Sequence, residues 1–169
     1  MSVERSDREL MLRAIALAME AVTHGGGPFG ALIAMSGQIV AEGKNEAEVL
    51  QDPTAHAEMQ AIRAAAKKLG SRWLTGHTLI TSAEPCPMCL AACYWADINR
   101  IVYAVSTERA NALGLGDTTV YQEICMKRSS RSIQMLELSM VDDEAPFHVR
   151  HNNRSGLRSP NDVGPTGGL

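Results

Sequence analysis

His56-Ala57-Glu58 and, downstream, Pro85-Cys86-Pro87-Met88-Cys89 are the residues whose types and spacing could do chemistry. One imidazole and two thiols suit zinc better than magnesium or calcium, which prefer oxygen. Three protein ligands leave tetrahedral zinc one open position, the mark of a catalytic rather than a structural site. That position would take a water, whose pKa zinc lowers toward about 7, and Glu58 is the unligated carboxylate placed to move its protons. The implied chemistry is metal-assisted hydrolysis.

The spacing supports this reading. Cys86 and Cys89 stand at i and i+3 in a first helical turn, so both sulfurs can face one point. The unpaired N–H groups of a helix start favour the thiolate, the form that binds metal. His56 opens a second helix, and Glu58 projects from the same first turn. Each half has a blander reading. A Cys-x-x-Cys pair alone could be redox-active, and a His-x-Glu alone could be a helix start with a capping carboxylate. Their combination in this order, with proline on both sides of Cys86, is not explained that way. A structural zinc module would need a fourth protein ligand, and His24, His77, His148 and His151 lack ligand-like spacing. Cys93 and Cys125 are read as packing residues, since buried free cysteine behaves as a small hydrophobe.

The elements that must position these residues follow from periodicity. Leu10, Ala14, Leu17, Ala18, Ala21 and Val22 recur at helical spacing over 7–24, and Gly25-Gly26-Gly27-Pro28 ends that helix. Residues 31–34 and 39–41 flank Ser36-Gly37-Gln38 as a β-hairpin, and 45–54 form a polar loop. A helix is expected over 56–69, with Met59, Ile62, Ala66 and Leu69 as its apolar stripe and Gly70 as its cap. A short strand over 78–81 gives way at Glu84-Pro85, and Pro87 suits the first turn of a helix running to Trp95. Strand 100–105, a helix starting near Thr107 and a last strand over 134–138 complete the series. Strands alternating with helices of this length predict a three-layer α/β domain. From about Asn152 the composition turns to Gly, Pro, Ser and Asn, predicting a disordered or partner-draped tail over 152–169.

With 169 residues, 45% of them apolar, the chain suits one domain with one core. No apolar run is long enough to span a bilayer and the first nine residues are polar, so a cytoplasmic protein is expected, with no membrane partner. The formal net charge of −3 disfavours nucleic acid, whose binders carry basic patches. The dense cluster Lys127-Arg128-Ser129-Ser130-Arg131 reads as a solvated loop. A small-molecule substrate is favoured.

The paired motifs carry the signature of zinc nucleobase deaminases, and the chain resembles the cytidine deaminase superfamily, most closely the bacterial guanine deaminases. The resemblance spans residues 10–124. It rests on Gly25-Gly26-Gly27-Pro28-Phe29-Gly30-Ala31, Gly43-Lys44-Asn45, Asp52-Pro53-Thr54-Ala55-His56-Ala57-Glu58, Glu84-Pro85-Cys86-Pro87-Met88-Cys89 and Tyr94-Trp95-Ala96. It implies an α/β/α cytidine-deaminase-like domain with a central mixed sheet over 1–151, a homodimer, and one zinc per chain on His56, Cys86 and Cys89. Glu58 would shuttle protons while water replaces an amino group, converting guanine to xanthine with release of ammonia. Asn45 would hydrogen-bond the purine, Phe29 and Trp95 would wall the pocket, and backbone near Ala57 and Glu84 would assist. Asp117 matches a second carboxylate directed at the ring. Guanine deaminases end in an aromatic residue on a segment exchanged between subunits, whereas here no aromatic follows Phe147. The alternatives are, in order, deamination of cytosine, a nucleoside or an aminotriazine; deamination of tRNA adenosine; and a zinc-stabilised scaffold without activity.

Overall fold

The computed structural model describes residues 5–116 and 118–152. Asp117 and the tail from 153 onward lie outside the described residues, and the expectations attached to them lie there too. The chain divides into two compact units, Met1–Met126 and Lys127–Leu169.

In the first unit, α1 (Arg5–Thr23) buries Leu10, Ala14, Leu17, Ala18 and Ala21. Val22, expected with them, faces outward. The helix stops where Gly25 takes φ +83°. β1 (Gly30–Met35) and β2 (Gln38–Lys44) form the hairpin. Its turn sets Ser36 at φ +49° and Gly37 at φ +76°, the doubly left-handed geometry that matches strand twist. The short α2 (Ala47–Leu50) interrupts the expected polar loop. Then follow α3 (Ala57–Leu69), β3 (Thr78–Ala83), α4 (Pro87–Trp95), β4 (Arg100–Val105), α5 (Thr107–Ala112) and α6 (Thr118–Cys125).

The sheet order is β2-β1-β3-β4. β1 is antiparallel to both neighbours, and β3 and β4 run parallel, so the sheet is mixed. Alternation along β1 sends Ala31 and Ile33 to one face, where they pack with Ala57, Ala61 and Ala65 of α3 and with Cys93. Leu32 and Ala34 pack on the other face against Leu10 and Ala14 of α1. These two cores make the three layers. Arg100 ties the first layer to the far strand, donating to both carboxylate oxygens of the buried Asp7 at 2.9 and 2.6 Å.

The buried face of α3 differs from the expected stripe. Ala57, Glu58, Ala61 and Ala65 face inward, while Met59, Ile62 and Ala66 are half-covered and Leu69 is exposed. The reason is proximity. A Cβ on Gly43 would run into the backbone of Ala57 and Ala61, so the helix lies too close to β2 for larger side chains between them. Gly30 plays the same part under α1, against the backbone of Ala14 and Ala18.

In the second unit, a 3₁₀ turn (Arg128–Ser130) leads through an irregular stretch to α7 (Ala145–Asn152). The strand expected over 134–138 does not form. A strand needs a partner for its backbone groups, and these residues pair with none of the described strands; Leu136 and Leu138 are 90% and 81% exposed. No described helix is long and apolar enough to cross a membrane.

Candidate active site

Pairing of Gly30 with Lys44 and of Ala31 with Thr81 puts the start of β1 beside the ends of β2 and β3. The parallel β4 ends there as well. The connections that leave this end of the sheet therefore carry Phe29, Asn45, His56, Glu84, Cys86 and Thr107 to one place. Crevices at the carboxyl ends of strands are where open α/β sheets bind ligands.

His56 is the N-cap of α3 (φ −69°, ψ 155°) and Cys86 the N-cap of α4 (φ −64°, ψ 167°), and neither side chain caps its own helix. Both turn toward Cys89 instead. His56 Nδ1 lies 3.6 Å from Cys86 Sγ and 3.6 Å from Cys89 Sγ. Zinc–sulfur and zinc–nitrogen bonds of about 2.3 and 2.0–2.1 Å at the tetrahedral angle require N···S edges of about 3.6 Å. All three ligand atoms lie within 4.8 Å of one another. The donor set and its spacing fit a zinc ion. A hydrogen bond from the Cys89 thiol, with His56 alongside, pulls the Cys86 thiol down to about 4, while the same bond and burial push Cys89 up.

Glu58 stands one turn-step inside α3 from His56 and is only 5% exposed. Burial raises its carboxyl above the ordinary value, opposed in part by hydrogen bonds including one donated by Thr81 Oγ1 to Oε1 at 3.1 Å. The Asp52 carboxylate accepts from Thr54 N and Oγ1 at 2.8 and 2.7 Å, a local turn that delivers the chain to His56.

A cavity of about 300 Å³ opens over this cluster, lined among others by Phe29, Asn45, His56, Glu58, Glu84 and Cys86. Asn45 is buried, and its Oδ1 accepts from Ala47 N, so its amide N–H groups are what it can offer a ligand. Glu84 lines the cavity, and its Oε2 accepts from Thr107 N at 2.8 Å. Ala57 is fully buried beneath the site. Trp95 is not brought to this cavity; it is 75% exposed. It stands six positions after Cys89, which at 3.6 residues per turn puts it well round α4 from the face that carries Cys89. Sequence reasoning missed Glu48 at the rim and the wall made by Thr107, Ala110, Leu115, Gly116 and Tyr121. Among the described residues that line the cavity, none is lysine or arginine.

A buried acid beside a His-Cys-Cys cluster at this end of a mixed sheet defines a zinc hydrolase. Residues 4–105 match the family model of the cytidine and deoxycytidylate deaminase zinc-binding region, and the chain belongs to that family. Within it, the chain is 44% identical to the guanine deaminase of Bacillus subtilis (strain 168) over 141 residues, 83% of this chain and 90% of that protein. The X-ray structure of guanine deaminase from Bacillus subtilis superposes with a TM-score of 0.84 at 39% identity, covering 92% of this chain and 99% of that one. The tRNA-specific adenosine deaminase of Bacillus subtilis is 36% identical over 108 residues, 64% of this chain and 67% of that protein.

Proposed function

We propose that this protein deaminates guanine to xanthine, releasing ammonia, with one zinc per chain on His56, Cys86 and Cys89. The observation that carries the reading is the cavity: small, with the buried Glu58 in its lining, and without a lysine or arginine among its described lining residues. A volume of about 300 Å³ sits at the small end of ligand pockets, and with Glu48 at its rim it offers no countercharge to a phosphate. A free base suits it better than a nucleotide or a tRNA. The extent of similarity to guanine deaminase selects the base.

Bound zinc would supply an acidified water at its open position. Glu58 accepts a proton from that water on a carboxylate oxygen. It would pass that proton to the ring nitrogen next to the reacting carbon. It would then take the second proton of the original water from the hydroxyl now on that carbon and hand it to the departing amine, so that the C–N bond breaks, a C=O forms and ammonia leaves. Its burial keeps bulk water from short-circuiting the transfer, and the Thr81 hydroxyl holds one oxygen in place. Asn45 donates to a ring acceptor through its amide. Phe29 lies against the base, backbone near Ala57 and Glu84 supports the floor, and Asp117 accepts from ring N–H groups. Trp95 belongs to a pocket only across a subunit boundary, in a cytoplasmic homodimer. Tyr94 and Trp95, 77% and 75% exposed, are apolar surface that such a partner would cover.

Ammonia release from guanine, cytosine, adenine, their nucleosides and aminotriazines tests the reading. Turnover of guanine well above the others is the expected result. Preference for a pyrimidine or a nucleoside would overturn the choice of base, and inactivity of the zinc-loaded protein on all of them would overturn the enzyme.

A further inference from the structure

The wall made by α5, Leu115, Gly116 and α6 is built unlike the rest of the site. α5 carries Thr107 and Ala110 and ends in a left-handed Gly114 at φ +75°. Gly114 N bonds to Asn111 O, and Leu115 N reaches back to Ala110 O, a glycine-terminated helix end. That turn presents Leu115 and Gly116 to the cavity, and α6 follows with Tyr121. No residue of α6 is buried; Tyr121 and Glu123 are half-covered and the others exposed. Elements with so little buried apolar surface open locally at low free energy.

Both ends of this wall are fastened to the two residues that precede Cys86. At the α5 end, Glu84 N donates to Val105 O at 2.8 Å while its carboxylate accepts from Thr107 N. At the α6 end, the Tyr121 hydroxyl donates to Pro85 O at 2.7 Å across 36 residues of chain. The first fastening is two-point. The second joins a helix without a buried residue to the metal-binding loop.

We propose that Tyr121 is a positioning residue for the base: acting through Pro85, it latches α6 in the place that shapes the cavity wall. This rests on the guanine-deaminase reading for its substrate, though not for the latch itself. The latch sets how tightly the base is held and leaves the proton transfers at Glu58 alone. Its loss therefore appears in KM and in the opening of α6, and spares kcat and zinc.

Tyr121→Phe removes the hydroxyl and keeps the ring. A neutral hydrogen bond of ordinary net strength corresponds to roughly a two- to tenfold change. KM for guanine is expected to rise by about that factor, with kcat within about twofold of wild type and zinc content unchanged. In the same preparations, hydrogen exchange of the α6 amides, read by mass spectrometry on zinc-loaded protein without substrate, is expected to quicken by a similar factor. Unchanged exchange in α6 overturns the latch. Faster exchange with unchanged KM overturns its role in the cavity, and a fall in kcat or zinc content places the effect on Cys86 and overturns it too. Should the wild-type protein turn over no base, the functional reading fails, and the exchange measurement still decides the latch.

Discussion

Glu58→Gln tests the proton shuttle most directly. The substitution exchanges one carboxylate oxygen for an amide nitrogen at nearly constant volume. Glu58 is 5% exposed and accepts from Thr81 Oγ1 at 3.1 Å; the amide oxygen can accept the same bond, so the local packing survives. Fold stability is expected to stay within about 1.5 kcal/mol of wild type, with zinc retained on His56, Cys86 and Cys89. An amide cannot take up and return a proton, and general acid–base work contributes roughly 10²–10⁴-fold. That is about 3–5 kcal/mol of barrier. Guanine consumption followed by absorbance, with metal content measured on the same samples, should therefore show kcat down by at least about a hundredfold and KM little moved. Thr81→Val gives a smaller step for comparison, since removing one donor from the carboxylate should cost about ten- to a hundredfold, the worth of a hydrogen bond to a charged group. A Glu58→Gln enzyme that keeps zinc and turns over within tenfold of wild type would refute the assignment.

Other expectations concern the scaffold around the site. Cys93→Ala should keep full zinc and near-normal activity while costing about 1–2 kcal/mol in urea unfolding, because Cys93 is 1% exposed in the core and outside the ligand cluster; zinc loss would make it a ligand. Gly43→Ala should lower the urea midpoint by at least about 2 kcal/mol in stability, because its Cβ meets the α3 backbone at Ala57 and Ala61; an unchanged midpoint would disprove the close approach. Glu42 is held below the ordinary carboxylate value by its hydrogen bonds from Arg13, so its stabilisation is present above about pH 4.3 and is lost as pH falls through the lower folded value. With a third of the side chain exposed (33%), it contributes under about 1 kcal/mol. The stability gap between wild type and Glu42→Gln should be level near neutral pH and close in acid, and a gap that persists undiminished at pH 3 would contradict the linkage.

The His56-Cys86-Cys89 cluster was legible because its geometry is local. An N-cap cysteine with a second cysteine three residues on is set by one helical turn, and His56 repeats the device on α3. The layers were legible because period-2 and period-3.6 patterns survive burial. The inward face of α3 was not, since it depends on how near β2 comes, and that is decided by Gly43 from a different segment. The strand expected over 134–138 had the right composition, but composition does not supply a partner strand. Trp95 was assigned to the pocket by resemblance, while its phase on α4 relative to Cys89 turns it outward within the chain.

Tyr121 shows where local reasoning stops. Nothing in its neighbourhood distinguishes it from a half-buried helix tyrosine, and its hydroxyl acts on a carbonyl 36 residues away. The division has a physical basis. Moving protons at a metal-held water demands placement to fractions of an ångström, which short-range helix geometry can guarantee. Choosing which base enters demands shape, and one wall of the cavity comes from α5 and α6, which bury little and are held at Glu84 and Pro85. With so little of α6 buried, hydrogen bonds such as the one from Tyr121 to Pro85 carry weight in the wall, and Tyr121→Phe would reach the base while leaving the His56-Cys86-Cys89 cluster untouched.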